Sequence, residues 1–530
     1  MKKLIITTLI LLTALVAITV VYFKNLSTPA AHTAQIMQTI PNNAAMVFEF
    51  SNDNGFYDIF SGNTLLKDVT GQEKMDELSA LRNKILQQPL LKNFFDQQHI
   101  YISLHGQQRD SIDFLITIAG SETFSMGHWQ QLAKQTNTGM FIKSINLGGK
   151  DAYEIYFNDL KKRFYLVNRG NHIFSGSFSR ELALQSALYQ PSKNSNDFLQ
   201  IPDQQNSSSL ANLYINYTQL TPLFDQLFIS KNTGLFKELR KLPALAGLTL
   251  NYKTDALMFN GFTSIRENKL SSYLSVFRNQ QPVTRHLKDI FPSTTAYSTC
   301  FALSDARQFM DDLGRYDANA GLNNEETELF ARVKSETGVQ INTSFNNLLT
   351  GEFAIVTTRF DEELAIVALK NGMQMRPLMV DISKMENDDV GQFKYDKLPF
   401  YLLGDAFGVF THPYFMIIDN YLVLANSTRE LDSYKDSYQN HKFLSSMPAY
   451  TDFDNSLAER SNVAFFLHFR NIFPILRREM KPAFSAIFDP GDKGPNKFYA
   501  LSYQFSAADR NFYTNFYMRL NKADTTGIDN

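Results

Sequence analysis

The chain has little of what builds covalent or metal cross-links. Cys300 is the only cysteine among 530 residues, which excludes an internal disulfide and any cysteine-based zinc or iron–sulfur centre. The nine histidines are scattered without metal-ligand spacing. The motifs GxxxxGKS/T, GxGxxG before a helix, HExxH and GxSxG are missing too. We therefore predict no catalytic residue and no cofactor from sequence motifs.

An excess of charge of one sign is also missing. Lys and Arg number 51 and Asp and Glu 53, so the net charge is −2 with neutral histidines. A nucleic-acid partner is therefore not expected. Gly (25) and Pro (17) are too few for a low-complexity chain, and the 44% of apolar residues suffice for a packed core.

One long apolar run lies at the N-terminus. Leu4–Phe23 contains 20 residues without a charge, and as a helix rising about 1.5 Å per residue it would cross a bilayer core. Lys2 and Lys3 precede the run, and after Lys24 the next basic residue is Lys67. The positive-inside rule then predicts a single-pass inner-membrane protein with a cytoplasmic N-terminus and a body in the periplasm or outside. The lipid bilayer is its expected partner.

A cleaved signal peptide is the alternative. A small-x-small site occurs at Thr28-Pro29-Ala30, although the apolar run exceeds the length of about 7–15 residues that is usual for signal peptides. Cleavage there would make the protein secreted.

Landmarks of the first half of the chain recur in the second half at a nearly constant offset. Pro41–Ala45, before a strand-like run, matches Pro292–Ala296 at an offset of 251 residues. The order of the matches and the slow drift of the offset indicate an internal duplication with small insertions in loops. The other matches are Phe114–Ala119 with Leu364–Leu369, Asn171–Leu182 with Asn420–Leu431, Tyr189-Gln190 with Tyr438-Gln439, Tyr217 and Pro222 with Phe469 and Pro474, and Leu248, Leu250 and Tyr252 with Leu501, Tyr503 and Phe505.

The repeat sets the predicted domain boundaries. The predicted segments are 1–24 (cytoplasmic tip and transmembrane anchor), 25–35 (linker), 36–265 (first repeat lobe), 266–286 (linker), 287–523 (second repeat lobe) and 524–530 (tail). Each lobe lies at the upper end of the normal domain size.

Each lobe contains patterns of both strands and helices. Apolar or alternating runs predict first-lobe strands near 45–50, 99–105, 112–119, 151–157, 163–168, 171–176, 211–217, 246–252 and 256–264. Helical periodicity occurs at 71–96, 125–136, 179–190, 219–240, 304–314, 323–337, 373–385, 428–438 and 470–482.

Tight turns between strands indicate antiparallel pairing. Predicted hairpins turn around Asn168-Arg169-Gly170, at its second-lobe equivalent Asp419-Asn420, and at Asp361-Glu362-Glu363. Strand runs with helices gathered between them favour the α+β class. The predicted fold is an N-terminal transmembrane helix followed by two homologous mixed α/β lobes with largely antiparallel sheets.

Two polar sites recur with the repeat. Ser179 and Thr428 each follow a strand and precede a helical run, which is typical of a helix N-cap. Arg180 and Arg429 come next in the chain. A second interpretation is that these two guanidinium groups bind an anionic ligand in equivalent grooves.

One segment comes near a metal motif. Asp317, Asn319 and Glu328 occupy positions 1, 3 and 12 of a calcium-binding loop. Gly321 and Leu322 stand at positions 5 and 6, so one ligand and the sharp turn are lost. These residues form a weak calcium candidate, and the alternative is a loop that ends in a helix N-cap. No other metal site is predicted.

Two short phrases resemble a known family. Ile40–Ala45 leads into a strand soon after the apolar run, and Asp419–Ser427 is a strand and turn before a helix. Together they resemble a bacterial domain-of-unknown-function family, number thirty-three fifty-two, over most of residues 36–520. The resemblance implies an N-terminal anchor and a large exported α+β body, and it implies no activity, cofactor or catalytic residue.

These observations favour a membrane-anchored envelope protein that binds a ligand or partner, or acts as a scaffold, through a groove between two similar lobes. The alternative is a cell-envelope enzyme of the hydrolase type whose residues come from scattered positions. A third hypothesis is a structural or assembly factor for a membrane complex. The sequence leans away from an enzyme, and it names neither the ligand nor the envelope component that would be the partner.

Overall fold

The computed structural model describes residues 35–521 with internal gaps. The residues that it leaves undescribed are 1–34, 62–64, 107–111, 122, 136–138, 191–197, 199–208, 231–238, 240–241, 266–271, 486–487, 489–493 and 522–530. The predicted membrane run Leu4–Phe23 and the cleavage site Thr28–Ala30 lie outside the described residues. Within the described part, no helix has both the length and the apolar character needed to cross a membrane.

Helix and strand contribute almost equally to the body. Their shares are 39% and 36%, with a large antiparallel sheet, which confirms the mixed α/β class. The strands are β1 Ala44–Ser51, β2 His99–Gly106, β3 Ile112–Ala119, β4 Met140–Leu147, β5 Lys150–Phe157, β6 Lys162–Gly170, β7 Ile173–Ser177, β8 Ala211–Asn216, β9 Ala244–Tyr252, β10 Ala256–Ile265, β11 Val283–Thr284, β12 Thr295–Ala302, β13 Leu349–Thr358, β14 Glu363–Leu369, β15 Ser383–Met385, β16 Val390–Phe393, β17 Tyr414–Ile418, β18 Tyr421–Ala425, β19 Arg460–Ser461, β20 Val463–His468, β21 Phe498–Ala508 and β22 Asn511–Leu520.

Twenty of these strands form one continuous sheet. Hydrogen-bonded neighbours follow the order β4-β5-β6-β7-β3-β2-β1-β8-β9-β10 and then β22-β21-β20-β12-β13-β14-β18-β17-β16-β15, with every pair antiparallel. From either outer edge to the middle, the strands are connected in the same order. The halves meet where β10 pairs with β22, as a local two-fold axis between equal halves requires. β11 and β19 form a separate pair.

The helices cover the two faces of the sheet. In chain order they are α1 Asn54–Ser61, α2 Leu65–Thr70, α3 Gln72–Leu81, α4 Lys92–Phe95, α5 Met126–Ala133, α6 Arg180–Leu188, α7 Leu220–Leu227, α8 Ala306–Asn319, α9 Asn323–Thr337, α10 Ile341–Leu348, α11 Gly372–Asp381, α12 Leu398–Leu403, α13 Thr428–Gln439, α14 Pro448–Asp454, α15 Phe469–Glu479 and α16 Pro482–Ser485. A π-helical turn, Arg82–Leu86, follows α3, and short 3₁₀ helices include Tyr217–Gln219 and Tyr273–Phe277.

Three helices are shorter in the structure than the sequence predicts. The predicted helix 71–96 is broken between the π-helical turn and α4, where Pro89 lacks the amide that a helix interior needs. The predicted helix 219–240 ends with α7, and Phe228 is already extended and bridged to Met480. In the predicted helix 373–385, the last residues form β15 instead. Short apolar runs fit both the helical and the strand period, so periodicity alone did not separate helix from strand.

One hairpin and one edge strand were also predicted wrongly. The turn between β6 and β7 lies at Asn171-His172, not at Asn168-Arg169-Gly170, and both turn residues have positive φ, 50° and 59°. Two such residues give the turn that matches strand twist, and Asn favours that conformation. β4 was missed because it is an edge strand, and Phe141 and other residues on its outer side face solvent.

The central pairing depends on a close approach at Gly261. This residue of β10 lies opposite Leu248 of β9, beside Gly247. A Cβ atom at 261 would stand 2.0 Å from the Gly247 carbonyl oxygen and 2.9 Å from the Leu248 Cα. On the other side of β10, Phe259 faces Phe516 of β22 with ring centroids 6.1 Å apart. Only glycine at 261 lets β9 and β10 pair at this spacing.

We expect Gly261→Ala to lower the stability of the full-length chain by about 1–3 kcal/mol or more, because the added methyl group meets backbone atoms that cannot rotate away. The measurement is the urea midpoint from far-ultraviolet circular dichroism. Gly314→Ala in α8 is the matched control, since a Cβ there has no neighbour within 4 Å, and it should be neutral or stabilising by up to about 1 kcal/mol. Equal midpoints for Gly261→Ala and wild type would contradict the packing argument.

Candidate functional site: an apolar cavity with a basic rim

A cavity of about 1300 Å³ lies against the sheet, mainly in the first half of the chain. This volume exceeds the range of about 300–1,000 Å³ that is usual for small-molecule sites. Strands β1, β2, β3, β8, β9 and β10 form its floor, and strands of the second half extend it across the junction. The floor side chains are Met46, Phe48, Phe50, Ile100, Ile102, Leu104, Phe114, Ile116, Leu213, Ile215, Leu248, Leu250, Leu257, Phe259, Phe465, Leu501, Tyr503, Phe516 and Met518.

Helices of the first half form the roof. Phe56 of α1 stacks on Phe50 of β1 with ring centroids 4.0 Å apart, so roof and floor touch at this point. The Arg82 guanidinium lies 3.7 Å from the centroid of the Tyr57 ring. Further roof residues come from α2, α3, the π-helical turn and α7, namely Val69, Thr70, Lys74, Met75, Glu77, Leu78, Leu81, Leu86, Leu220 and Phe224.

The floor keeps apolar surface without protein partners. Phe48, Ile102 and Leu213 lie opposite one another on three adjacent central strands, yet each is only half-buried. Their chain neighbours Val47 and Tyr101, which point to the other face, are buried. Apolar surface left uncovered forfeits about 25 cal/mol per Å². A ligand with an apolar body would recover this free energy.

Charged side chains gather along the rim. Strand register brings Arg163, Arg180 and Asp113 to the same end of the sheet, where β6 and β3 begin and β7 ends. Six basic and two acidic side chains line the cavity, and they are Lys74, Arg82, Lys161, Lys162, Arg163 and Arg180 against Glu77 and Asp113.

Ion pairs occupy some of these charges. The buried Glu77 carboxylate accepts hydrogen bonds from Lys74 Nζ at 3.0 Å and from Lys162 Nζ at 2.6 Å. Arg163 Nε lies 3.1 Å from an oxygen of Glu154. Lys162 thereby fixes the start of β6 to α3, which joins the rim of the cavity to its roof.

A neutral polar group lies inside the cavity near the junction of the two halves. The Tyr217 and Tyr503 hydroxyls are hydrogen-bonded to each other, and Tyr217 also lies 3.3 Å from Thr263 Oγ1. Burial raises the pKa of Tyr217 to about 12 and that of Tyr503 still further above its ordinary value. Both phenols therefore stay protonated, and neither supplies a base or a charge to the interior.

The structure separates the two arginines that the repeat singles out. Arg180 lines the cavity at the start of α6, whereas Arg429, in the first turn of α13, is exposed and not among the lining residues. Ser179 is the N-cap of α6, and its Oγ accepts from Leu182 N at 3.4 Å. The N-cap of α13 is Ser427 and not the predicted Thr428, because Ser427 forms a reciprocal capping box with Glu430.

The weak calcium candidate does not form a loop. Asp317 and Asn319 lie in the last turns of α8, and Glu328 lies within α9, so the predicted loop at 317–319 is wrong. Among the described residues, no group of three or more His, Cys, Asp or Glu side chains has a geometry that would hold a metal ion. Asp317 is instead a buried carboxylate with no hydrogen bond to either oxygen from any described residue.

A serine–histidine–asparagine arrangement occurs on the opposite face of the sheet. Ser103 Oγ lies 2.9 Å from His105 Nε2, and His105 Nδ1 lies 3.0 Å from Asn43 Oδ1. Ser103 and His105 have no exposed surface, and burial lowers the pKa of His105 to about 3. A nucleophile needs substrate access and a base that titrates near the working pH, so this group serves packing.

Two further reactive groups are structural by the same reasoning. Burial opposes ionisation of Glu49, but hydrogen bonds from His99, Tyr214 and Tyr101 outweigh it and lower the pKa of Glu49. Asn212 donates a fourth hydrogen bond, so that each carboxylate oxygen of Glu49 accepts at least two. Cys300 is buried in β12, where burial raises the pKa of its thiol to about 12.

Sequence reasoning missed the cavity floor and most of its rim. Alternation along β1 and β2 predicts which side chains face inward, and it carries no information on whether that side is filled. The run Lys161-Lys162-Arg163 was a usable signal, since it is a local basic cluster in a chain of balanced charge.

We expect Asp317→Asn to stabilise the protein at pH 8 and to have little effect at pH 4. Burial raises the pKa of Asp317 from 3.8 to about 7, with the Glu326 and Asp405 charges adding to the shift. The folded chain therefore holds a proton that the unfolded chain has lost, and stability falls as pH rises from about 4 to 7. The amide should raise stability at pH 8 by about 1–3 kcal/mol.

The measurement is the thermal midpoint at pH 4 and pH 8. Asp311→Asn, an exposed residue of the same helix, is the control and should shift both midpoints equally. A loss of stability at pH 8 in Asp317→Asn would overturn this assignment.

Comparisons of the chain with protein-family models, with curated proteins and with solved structures found no match. The functional argument therefore rests on the cavity, its apolar floor and its basic rim.

Proposed function

We propose that this protein is a membrane-anchored envelope protein that binds an apolar ligand in the cavity of its first half. The observation that carries the proposal is the cavity of about 1300 Å³ whose central floor residues stay half-buried. Protein interiors are close-packed, and an unfilled apolar space of this size is costly unless something occupies it. A bound ligand would fill this space.

Binding has more support than catalysis. The charged lining side chains come from the roof helices and from the strand ends at the rim, and the polar groups near the junction of the two halves are the neutral hydroxyls of Tyr217 and Tyr503. A hydrolase needs a nucleophile or an activated water beside a base of suitable pKa. The group that comes nearest to this pattern, around Ser103, lies on the other face and is buried. The cell-envelope hydrolase is therefore the weaker alternative.

We also propose that the body arose by duplication into two homologous lobes, near 36–265 and 287–523, with different tasks. Identical strand connectivity in the two halves supports this. At equivalent pairing positions the contents differ. Phe50 and Ile100 border the cavity, whereas Phe301 and Phe353 are covered by further buried rings. Those rings are Phe277, Phe309 and Phe407, with centroids 5.4–5.6 Å from those of their neighbours.

The location is part of the same proposal. Leu4–Phe23 would anchor the chain with a cytoplasmic N-terminus and hold the cavity beside the membrane, which is a source of apolar ligands. Signal cleavage and secretion remain the alternative. The resemblance to the domain-of-unknown-function family would imply the same location and adds no activity. A scaffold role using the second lobe would be compatible with ligand binding by the first.

We expect Ile102→Trp to abolish or weaken binding of a neutral fluorescent probe, N-phenyl-1-naphthylamine, by at least about tenfold. Ile102 points into the cavity from the middle of its floor, and the larger side chain takes up space the ligand needs. Stability should change by less than about 1.5 kcal/mol, because the indole enters a void and displaces no neighbour. The probe is titrated into full-length protein held in an amphipathic polymer, and its fluorescence reports binding. Solvent extracts of the protein are analysed by mass spectrometry for a bound apolar ligand.

Ile355→Trp is the matched control. Ile355 lies opposite Thr299 as Ile102 lies opposite Phe48, but it does not line the cavity. The control should bind the probe as wild type does. Equal binding by wild type and Ile102→Trp, with both folded, would remove the proposed function.

Affinity should also rise with the length of an apolar chain. Each additional methylene buried contributes about 0.8 kcal/mol, which corresponds to about a fourfold lower Kd. We therefore expect primary alcohols from eight to sixteen carbons to displace the probe with steadily increasing strength. Ile102→Trp should end this increase at a shorter chain. A flat series in the wild type would show that the cavity does not take up the chain.

A further inference from the structure

We infer that the ligand is a long-chain amphiphile with an anionic end group, a carboxylate or a phosphate, held at the basic rim. This inference rests on the proposed function, since it assigns the chemistry of the group that the cavity excludes. The apolar chain would enter the cavity, and the charged end would stay at Arg180 and Lys161.

The charge balance of the rim favours an anion. Basic side chains outnumber acidic ones six to two among the lining residues. The balance stays positive when the outer partners Glu73, which pairs with Lys162, and Glu154, which pairs with Arg163, are added to the acidic side. The chain as a whole has a net charge of −2, so this local excess is a property of the rim and not of the composition.

Three of the six lining cations have no ion pair within the described part of the chain, and one of these, Arg82, packs against the Tyr57 ring. Lys161 and Arg180 are exposed, and no carboxylate of a described residue lies within 4.0 Å of either one. Both line the cavity. Asp113 is the one acidic lining residue outside the Glu77 pairs, and it offsets one of these charges. The guanidinium of Arg180 is suited to a carboxylate or a phosphate because it donates two parallel hydrogen bonds.

The position of the rim explains why the ligand should be an amphiphile and not a wholly apolar molecule. The register of β6, β7 and β3 collects the cations at one end of the strands, while the floor beyond them is apolar. Near the junction of the two halves, the polar lining atoms are the neutral hydroxyls of Tyr217 and Tyr503, which offer an anion no charged partner. A charged end group would therefore remain at the rim, in contact with water.

The second half of the chain supplies an internal comparison. Arg429 is the second residue after the N-cap Ser427 of α13, and Arg180 is the first residue after the N-cap Ser179 of α6, so both arginines lie in the first turn of a helix. Arg429 does not line the cavity. A change at Arg429 thus controls for loss of a helix-terminal cation without touching the proposed site.

The test compares ligands that share a chain and differ in the end group. Full-length protein carrying bound N-phenyl-1-naphthylamine is titrated with hexadecanoate, hexadecanol and hexadecyltrimethylammonium at low salt and at 0.5 M NaCl. Inorganic phosphate and butyrate are added separately to distinguish a chain-bearing anion from a free one. The variants are Arg180→Gln, Arg180→Lys, the double variant Lys161→Gln with Arg180→Gln, and Arg429→Gln.

We expect hexadecanoate to bind about threefold to tenfold more tightly than hexadecanol at low salt, and the ratio to shrink at high salt because exposed charges are screened. The double variant should bring this ratio close to one and leave hexadecanol binding unchanged. Arg180→Lys should keep part of the preference for hexadecanoate, and Arg429→Gln should keep all of it. These rim residues are exposed, so the variants should fold.

The outcomes separate the two proposals. If hexadecanoate and hexadecanol bind equally to wild type, the anionic end group is wrong and the apolar-ligand proposal stands. If none of the long chains displaces the probe, the proposed function itself fails. Displacement by inorganic phosphate or butyrate at the same concentrations would also overturn the inference, because it would show an anion site that needs no chain. Tighter binding of the ammonium compound would contradict the assigned sign.

Discussion

The eight residue pairs between β10 and β22 make one body of the two halves. Without them each half would expose a long strand edge and the apolar residues at the junction, which is a risk for aggregation. Their register is centred on Phe259–Phe516 and Asn260–Asn515, so two strands at equivalent places in the repeat pair with each other. Gly261 allows the adjacent strand β9 to approach from the other side, because a Cβ atom there would meet backbone atoms of Gly247 and Leu248. The cavity reaches across this junction to Tyr503 and Phe516, and its shape therefore depends on the same pairing.

The two halves share the same order of paired strands but differ in what covers those strands. In the second half, stacked rings over Phe301 and Phe353 contribute dispersion and burial to stability. In the first half, Phe50 at the same position stacks on Phe56, and the neighbouring floor residues Phe48 and Ile102 border open space. The opposite face shows a similar division, because Glu49 is surrounded by hydrogen-bond donors, whereas Cys300 at the equivalent position pairs with Ala354 and Ala464. The second half thus has a filled core where the first half has a cavity.

The sequence predicted most of the strands and the antiparallel turns because these depend on local chemistry. Asp419-Asn420 turns the second-half hairpin as expected, and the helix predicted at 323–337 coincides with α9. The errors fall where local signals conflict with distant contacts. Phe228 and Ser383–Met385 are extended because they pair with strand partners elsewhere, and Asp317 is helical although its neighbours resemble a loop. Of the two arginines that the repeat singled out, only Arg180 lies at the cavity, although both lie in the first turn of a helix.

By itself the sequence determined the mixed class, the alternation of inward and outward side chains, the basic run Lys161–Arg163 and the repeat of landmarks along the chain. Each of these follows from neighbours within a few residues or from comparison of one segment with another. Only the tertiary structure decided that both halves share one sheet, that the space over Phe48 and Ile102 is open, and that Arg180 stands at its rim. The reason is that a void exists where no side chain reaches. The side chains that surround it belong to helices and strands far apart in the chain.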